Sequence, residues 1–517
     1  MKTTILAFAA AILSGSAICQ SNHSTYTNPV LWEDLADIDV FRVGDKYYYS
    51  ASTMAFSPGA PILESGDLVH WKYIGHSVPR LEFQDPAAYS LEDGKQAYVR
   101  GIWASSMRYR ASDKTWYWMG CIQPDKTYIY TASDPTGTWS LASTIDECYY
   151  DNGILFDDND EILVAYGNTN ISVARLNNDL TQKDITSVFR ADFYLEGARM
   201  YQINGTYYIF LTKPADQQWM LKSTGGPLGP YELKIFADRV DPSIPTAGKP
   251  HQGGIVDTPN GDWYYLAFED AYPGGRVPTL SPFTWDADGW PVLPSNDSFA
   301  TSNEYPVPPV PVEPYNRTQT FPGPVLDPHW EWNHNPDTSA YSFAECGGLV
   351  LNTASVTDDL FRAKNILTHR IPGPSSAGTV HLDISKMQSG DRAGLALFRD
   401  NMAYIAVEDG KVSLWKDLAL GSGWDTISTG AVEASATLPE GSEEVWFRLS
   451  ANIAPASDHL GTFSWSADGE TFEELGTPYE MNTTYYFFIG YRFGILNFAT
   501  EELGGSVTVK KFEVSES

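Results

Sequence analysis

Three acidic residues stand where a run of apolar and aromatic side chains meets a turn. Asp37 lies in Ala36-Asp37-Ile38-Asp39-Val40, Asp151 in Tyr149-Tyr150-Asp151-Asn152-Gly153, and Glu196 in Leu195-Glu196-Gly197-Ala198-Arg199. Each has an ordinary reading. Asp37 can close a turn, Asp-Asn-Gly is itself a turn signal, and Glu196 can pair with Arg199. Brought to one place, the three can do more. Hydrolysis of a glycosidic bond needs one carboxyl group to protonate the leaving oxygen and another to activate water. A third negative charge nearby keeps the acid protonated by like-charge repulsion.

Something must gather residues so far apart in the chain, and the sequence supplies a repeat. A polar turn followed by an aromatic, half-alternating strand occurs at Gly44–Tyr49, Asp113–Trp118, Asn204–Ile209 and Asn260–Tyr265, with a weaker copy at Asp160–Tyr166. The spacing, roughly 45 to 70 residues, is that of propeller blades. Five copies predict a five-bladed β-propeller, whose inner strands converge on one axis. A Pro- and Val-rich stretch, Tyr305–Pro314, reads as a semi-rigid linker. Beyond it the strands alternate without the aromatic turn unit, as in Gly378–Asp383 and Glu444–Leu449, which predicts a β-sandwich. The expected organisation is all-β: a leader over 1–19, a propeller over 20–304, a linker over 305–320 and a sandwich over 321–517.

The N-terminus carries Met1-Lys2, an apolar run from Ile5 to Leu13 and small residues from Ser14 to Ala17, the pattern of a secretory signal peptide. Asn-X-Ser/Thr sequons at Asn22, Asn170, Asn204, Asn296, Asn316 and Asn482 agree with export and glycosylation. Cys19 falls at the cleavage point. Cys121 and Cys148 lie near the ends of neighbouring strand-like runs and could pair, which leaves Cys346 as a buried free thiol. The formal net charge of -31 repels nucleic acid and anionic membranes and is compatible with a neutral polysaccharide. Aromatics make up 14% of residues; they suit stacking on sugar rings, though large β-proteins also pack many.

The chain resembles glycoside hydrolase family 43. The resemblance rests on Asn28-Pro29-Val30-Leu31, Asp37 and Arg42–Asp45 at the opening, followed by Ser52-Thr53, Ser57–Ile62 and Asp67–Trp71. It continues through Gly101–Ser105 with Arg108–Arg110, Asp151 with Leu155–Asp158, and Glu196-Gly197. It implies five-bladed enzymes that hydrolyse arabinose or xylose linkages with inversion, with Asp37 as general base, Glu196 as general acid and Asp151 tuning and orienting the acid. The family usually has Pro on both sides of the base, whereas Ala36 and Ile38 stand here, so Asp34 and Asp39 are rivals for that role. His251, in Pro250-His251-Gln252-Gly253-Gly254, matches a histidine near the axis that can bind substrate or stand beside a metal. The chemistry calls for no cofactor, and a structural calcium is the cation considered. Arg276 matches a pocket arginine, and Trp103 and Phe56 are candidate walls for stacking on sugar.

Tyr149–Asp151, Pro250–Gly254, Asp270–Arg276, Trp330–Asp337 and Gly490–Gly494 are similar to a fungal branch that releases α-L-arabinofuranose from arabinoxylan, notably α-1,3-linked arabinose on doubly substituted xylose. The expectation is therefore a secreted, monomeric arabinofuranosidase acting on arabinoxylan and its oligosaccharides. A β-xylosidase or arabinan-cleaving enzyme of the same family is the nearest alternative, and a lectin-like carbohydrate-binding protein is one from another class. The sandwich is expected as an accessory domain that binds xylan or only stabilises.

Overall fold

The computed structural model describes residues 24–295, 297–314 and 316–516. The leader at 1–19, Cys19 and the sequons at Asn22 and Asn296 lie outside the described residues. Among those described, no helix is long and apolar enough to cross a membrane.

Five four-stranded antiparallel sheets, each contiguous in the chain, form the propeller. Their innermost strands are Asp39–Val43, Ser105–Arg110, Gly153–Phe156, Glu196–Ile203 and His251–Asp257. The repeated polar turns predicted from sequence are the hairpins that join each of these to its second strand: Lys46–Ser50, Thr115–Ile122, Ile162–Tyr166, Thr206–Lys213 and Trp263–Asp270. Gly44, Gly205 and Gly261 take the left-handed backbone that these turns require. The second strands are rich in Tyr, Trp and β-branched residues. Both of their faces are buried between neighbouring blades, and Tyr47, Tyr49, Trp118 and Tyr265 have almost no exposed surface.

The ring is closed at its ends. Thr25–Thr27 pairs with Ser302–Glu304, the Tyr26 hydroxyl donates to the Leu280 carbonyl at 2.9 Å, and the Asn28 side chain both donates to and accepts from the Leu280 main chain. The Pro-rich linker then crosses the propeller surface, where the Val310 N–H donates to Asp67 at 2.7 Å.

The second domain is a β-sandwich of two large antiparallel sheets around one apolar core that includes Trp332, Leu395, Phe447 and Phe493. Its first strand, Thr318–Gln319, lies inside the stretch expected to be linker and pairs with the C-terminal strand. The domains are joined through backbone: Phe56 and Ser57 of the propeller pair with Asn333 and Trp332 and extend one sandwich sheet. Beneath that seam, buried Glu331 accepts from Arg370 at 3.0 Å and Arg492 at 2.6 Å, and contacts His76 of the propeller at 3.2 Å.

Cys121 and Cys148 form a disulfide as expected. Cys346, expected to be buried, is exposed. It occupies the turn between Tyr341–Phe343 and Leu349–Asn352, where two glycines of positive φ close the hairpin and leave the thiol outside the core.

Candidate active site

Every inner strand begins at the same end of the propeller axis, and the chemically interesting residues sit at those beginnings. Asp37 and Asp151 precede their strands by two residues, Trp103 and Ala104 lead into theirs, Glu196 opens the fourth, and Gln252 is second in the fifth. Asp37 and Asp151 both adopt left-handed backbone, with φ of 57° and 50°. This conformation is uncommon outside glycine and is tolerated by Asp; here it turns each carboxylate out of the strand direction and into the axial cavity.

That cavity has a volume of about 220 Å³ and is lined by Asp37, Met54, Trp103, Ala104, Tyr150, Asp151, Glu196, Gln252, Arg276 and Phe488. The three carboxylates thus meet at one site, contributed by three blades. A larger surface hollow of about 650 Å³ lies where the linker crosses the propeller. Of its two lining carboxylates, Glu313 and Asp327, the latter is paired with Arg317.

Each carboxylate has a different environment. Asp37 accepts from the Ser52 hydroxyl at 2.6 Å on one oxygen and from Arg276 Nη1 at 2.8 Å on the other. Asp151 is buried and accepts a 3.2 Å bond from the Gly197 N–H. Burial pushes its carboxyl well above the usual carboxylate range, the charges of Glu196 and Asp37 push the same way, and Arg199 offsets part of the rise. Burial raises Glu196 as well. The hydroxyls of Tyr194 and Tyr150, which donate to it at 2.9 and 3.0 Å, oppose that rise, while Asp37 adds to it. The arrangement therefore sets one carboxylate, held by Ser52 and Arg276, across from a pair of carboxyl groups that burial and mutual repulsion push upward.

The rivals for the first position have other work. Asp39 is fully buried below the cavity, where it accepts from Arg108 at 2.6 Å and from the Met107 N–H at 2.7 Å and lies 3.5 Å from Arg199. Arg199, read from sequence as a partner for Glu196, instead lies on the axis. It donates to the carbonyls of Asp37, Ile38, Asn152 and Ala198 and so ties three blades together beneath the site. Asp34 is also buried, and its carboxylate accepts from the main-chain N–H groups of Arg276 and Gly490.

Trp103 and Arg276 line the cavity. Phe56 does not. Its ring is buried in the domain interface, under the Arg492 guanidinium at 3.7 Å and edge-on to Phe398, because its strand is drawn into the sandwich sheet. His251 lies just outside the lining, with Nδ1 2.7 Å from the Lys249 carbonyl and its ring edge-on to Phe268. Among the described residues no group of three or more His, Cys, Asp or Glu could hold a metal ion. The site also contains residues that sequence reasoning missed. Tyr150, beside Asp151, and Tyr194, two residues before Glu196, could have been found by adjacency. Phe488 could not, because it comes from the sandwich.

These features agree with the comparisons. The model for glycosyl hydrolases family 43 matches residues 26–291, and that for the β-xylosidase C-terminal concanavalin A-like domain matches residues 318–515. The chain belongs to glycosyl hydrolases family 43. It is 26% identical to a β-xylosidase of Formosa agariphila, covering 94% of this chain and 90% of that one. It is 27% identical to a non-reducing end α-L-arabinofuranosidase of Bacteroides ovatus, covering 73% of this chain and 74% of that one. A solved structure with 44% identity superposes with a TM-score of 0.92, covering 96% of this chain and 99% of the other. It is described as a family 43 enzyme whose engineered active site displays both endo-xylanase and exo-arabinofuranosidase activity. The protein is a glycoside hydrolase.

Proposed function

We propose that the protein is an inverting α-L-arabinofuranosidase that removes arabinose side groups from arabinoxylan, with α-1,3-linked arabinose on doubly substituted xylose as the favoured target. The observation that carries this reading is the 44% identity, over nearly the whole of both chains, to the enzyme described with exo-arabinofuranosidase activity. The cavity supports it: about 220 Å³ suits one terminal sugar rather than a length of polymer. Beside it, Phe488, Tyr485 and Tyr486 form a partly exposed aromatic row that suits a polysaccharide main chain.

In this reading Glu196 protonates the glycosidic oxygen as the bond breaks. Asp37, held beside Arg276, takes a proton from water attacking the opposite face of the sugar. Asp151 keeps Glu196 protonated until it is needed and fixes the fourth-blade turn through the Gly197 N–H. Proton NMR of products from doubly and singly substituted arabinoxylan tests substrate, regiochemistry and anomeric outcome together. Release of xylose from unsubstituted xylo-oligosaccharides with arabinoxylan left intact would move the assignment to β-xylosidase, the activity named for the Formosa relative.

The same reading includes export through the leader at 1–19 and glycosylation. Asn170, Asn204 and Asn316 are exposed, as an acceptor must be. Treatment of secreted protein with an endoglycosidase should lower its mass; an unchanged mass would count against glycosylation.

A further inference from the structure

Asp34 is buried and does not line the cavity, yet its carboxylate stands at a crossing of three chain segments. One oxygen accepts from the Arg276 N–H at 2.8 Å and the other from the Gly490 N–H at 3.0 Å. Its carbonyl accepts from Arg370 Nε at 2.9 Å. The Leu35 N–H donates to the Arg276 carbonyl at 2.9 Å, and the Tyr491 N–H donates to the Pro273 carbonyl at 3.0 Å. The segments touch so closely that a Cβ on Gly275 would lie 2.3 Å from the Asp34 carboxylate, and one on Gly490 would lie 2.3 Å from the Gly274 carbonyl oxygen. Arg276, whose backbone is fixed at this crossing, is the residue whose guanidinium holds Asp37.

We propose that Asp34 is a positioning residue that couples docking of the sandwich to the orientation of Asp37, acting through the backbone of Arg276. This rests on the reading of Asp37 as the general base. Without the Asp34 carboxylate, two buried N–H groups lose their acceptor, one on each domain, and the loop that carries Arg276 is free to relax. The Glu196 side of the cavity, built from the third and fourth blades, is untouched. The defect should therefore fall on activation of water and spare proton donation to the leaving group.

This gives a signature that a merely structural residue lacks. Azide needs no deprotonation, so it bypasses the base: a C1–N bond forms, the C1–O bond breaks, and the leaving oxygen takes the electron pair. The experiment measures kcat and KM on 4-nitrophenyl α-L-arabinofuranoside for Asp34→Ala, Asp34→Asn and Asp37→Ala, with and without sodium azide. Asp34→Asn keeps the volume and one acceptor oxygen, and serves should the alanine variant not fold. The expected result is a kcat lowered by about 10²-fold in the Asp34 variants with little change in KM, raised by azide with formation of the glycosyl azide. An unchanged kcat, or a lowered kcat that azide fails to raise while Asp37→Ala responds, overturns the role of Asp34 alone. No azide response in Asp37→Ala removes the base assignment, and this proposal with it.

Discussion

Arg276 of the propeller donates from Nε to the main-chain carbonyl of Phe488 in the sandwich, 3.2 Å away. Its guanidinium lies between the rings of Phe268 and Phe488, at 5.2 and 5.8 Å from their centroids. The accessory domain thus supplies one wall of the cavity. Phe488→Ala should keep the carbonyl contact and lose the wall and the stacking, worth about 1 kcal/mol. The expected outcome is a KM for arabinoxylan oligosaccharides raised about fivefold with kcat changed less, read from initial rates.

The two catalytic roles separate by leaving group. Glu196→Gln should lower kcat on arabinoxylan by roughly 10³-fold, because the leaving oxygen has no proton source. The loss should be much smaller on a 4-nitrophenyl glycoside, whose phenolate departs unaided. Asp37→Asn should lose a similar factor on both substrates. Equal losses for both variants on both substrates would remove the assignment.

The raised carboxyl of Asp151 has a cost in stability. The native state binds that proton more tightly than the unfolded chain does, so the contribution to stability is present at low pH and lost as pH rises above about 4. Asp151→Asn cannot ionise and can still accept from Gly197. The variant should melt about 2 °C or more above the parent at pH 7, with the gap closing at pH 4, while activity is lost. Differential scanning calorimetry across that range checks it.

The Glu331 cluster behaves oppositely. Burial alone would raise this carboxyl, but Arg370 and Arg492 outweigh it and hold Glu331 well below the usual range. Its contribution is present above the unfolded carboxylate value and lost as pH falls. Glu331→Ala leaves two buried guanidinium groups uncompensated and should cost roughly 3–5 kcal/mol in chemical denaturation, with loosening of the domain seam.

The propeller was legible because its signal is local. Each blade announces itself by one turn followed by one aromatic strand, and both are contiguous in the chain. The three carboxylates were legible for the same reason, since each belongs to a strand start. Contacts between segments hundreds of residues apart were not. Phe56 reads as a pocket aromatic until the sandwich claims its strand. Asp34 and Asp39 compete with Asp37 on spacing, and only the folded chain separates them: Asp37 turns into the cavity, whereas Asp39 is held by Arg108 and Asp34 by two main-chain N–H groups. Arg199 sits three residues from Glu196, as a partner would, yet its side chain runs to the axis to satisfy carbonyls of other blades. Cys346 shows the converse error: a lone cysteine is most often buried, but a Gly-Gly turn left it no core to enter.

The absence of side chains at Gly275 and Gly490 has an evolutionary corollary. Where these backbones meet there is no room for a Cβ, so the seam depends on the two loop contours matching closely. A sandwich grafted from another hydrolase would bring its own loop contour to a gap measured in fractions of a side chain. Even a well-folded hybrid should then meet the catalytic cleft out of register, with Phe488 no longer seated against Arg276.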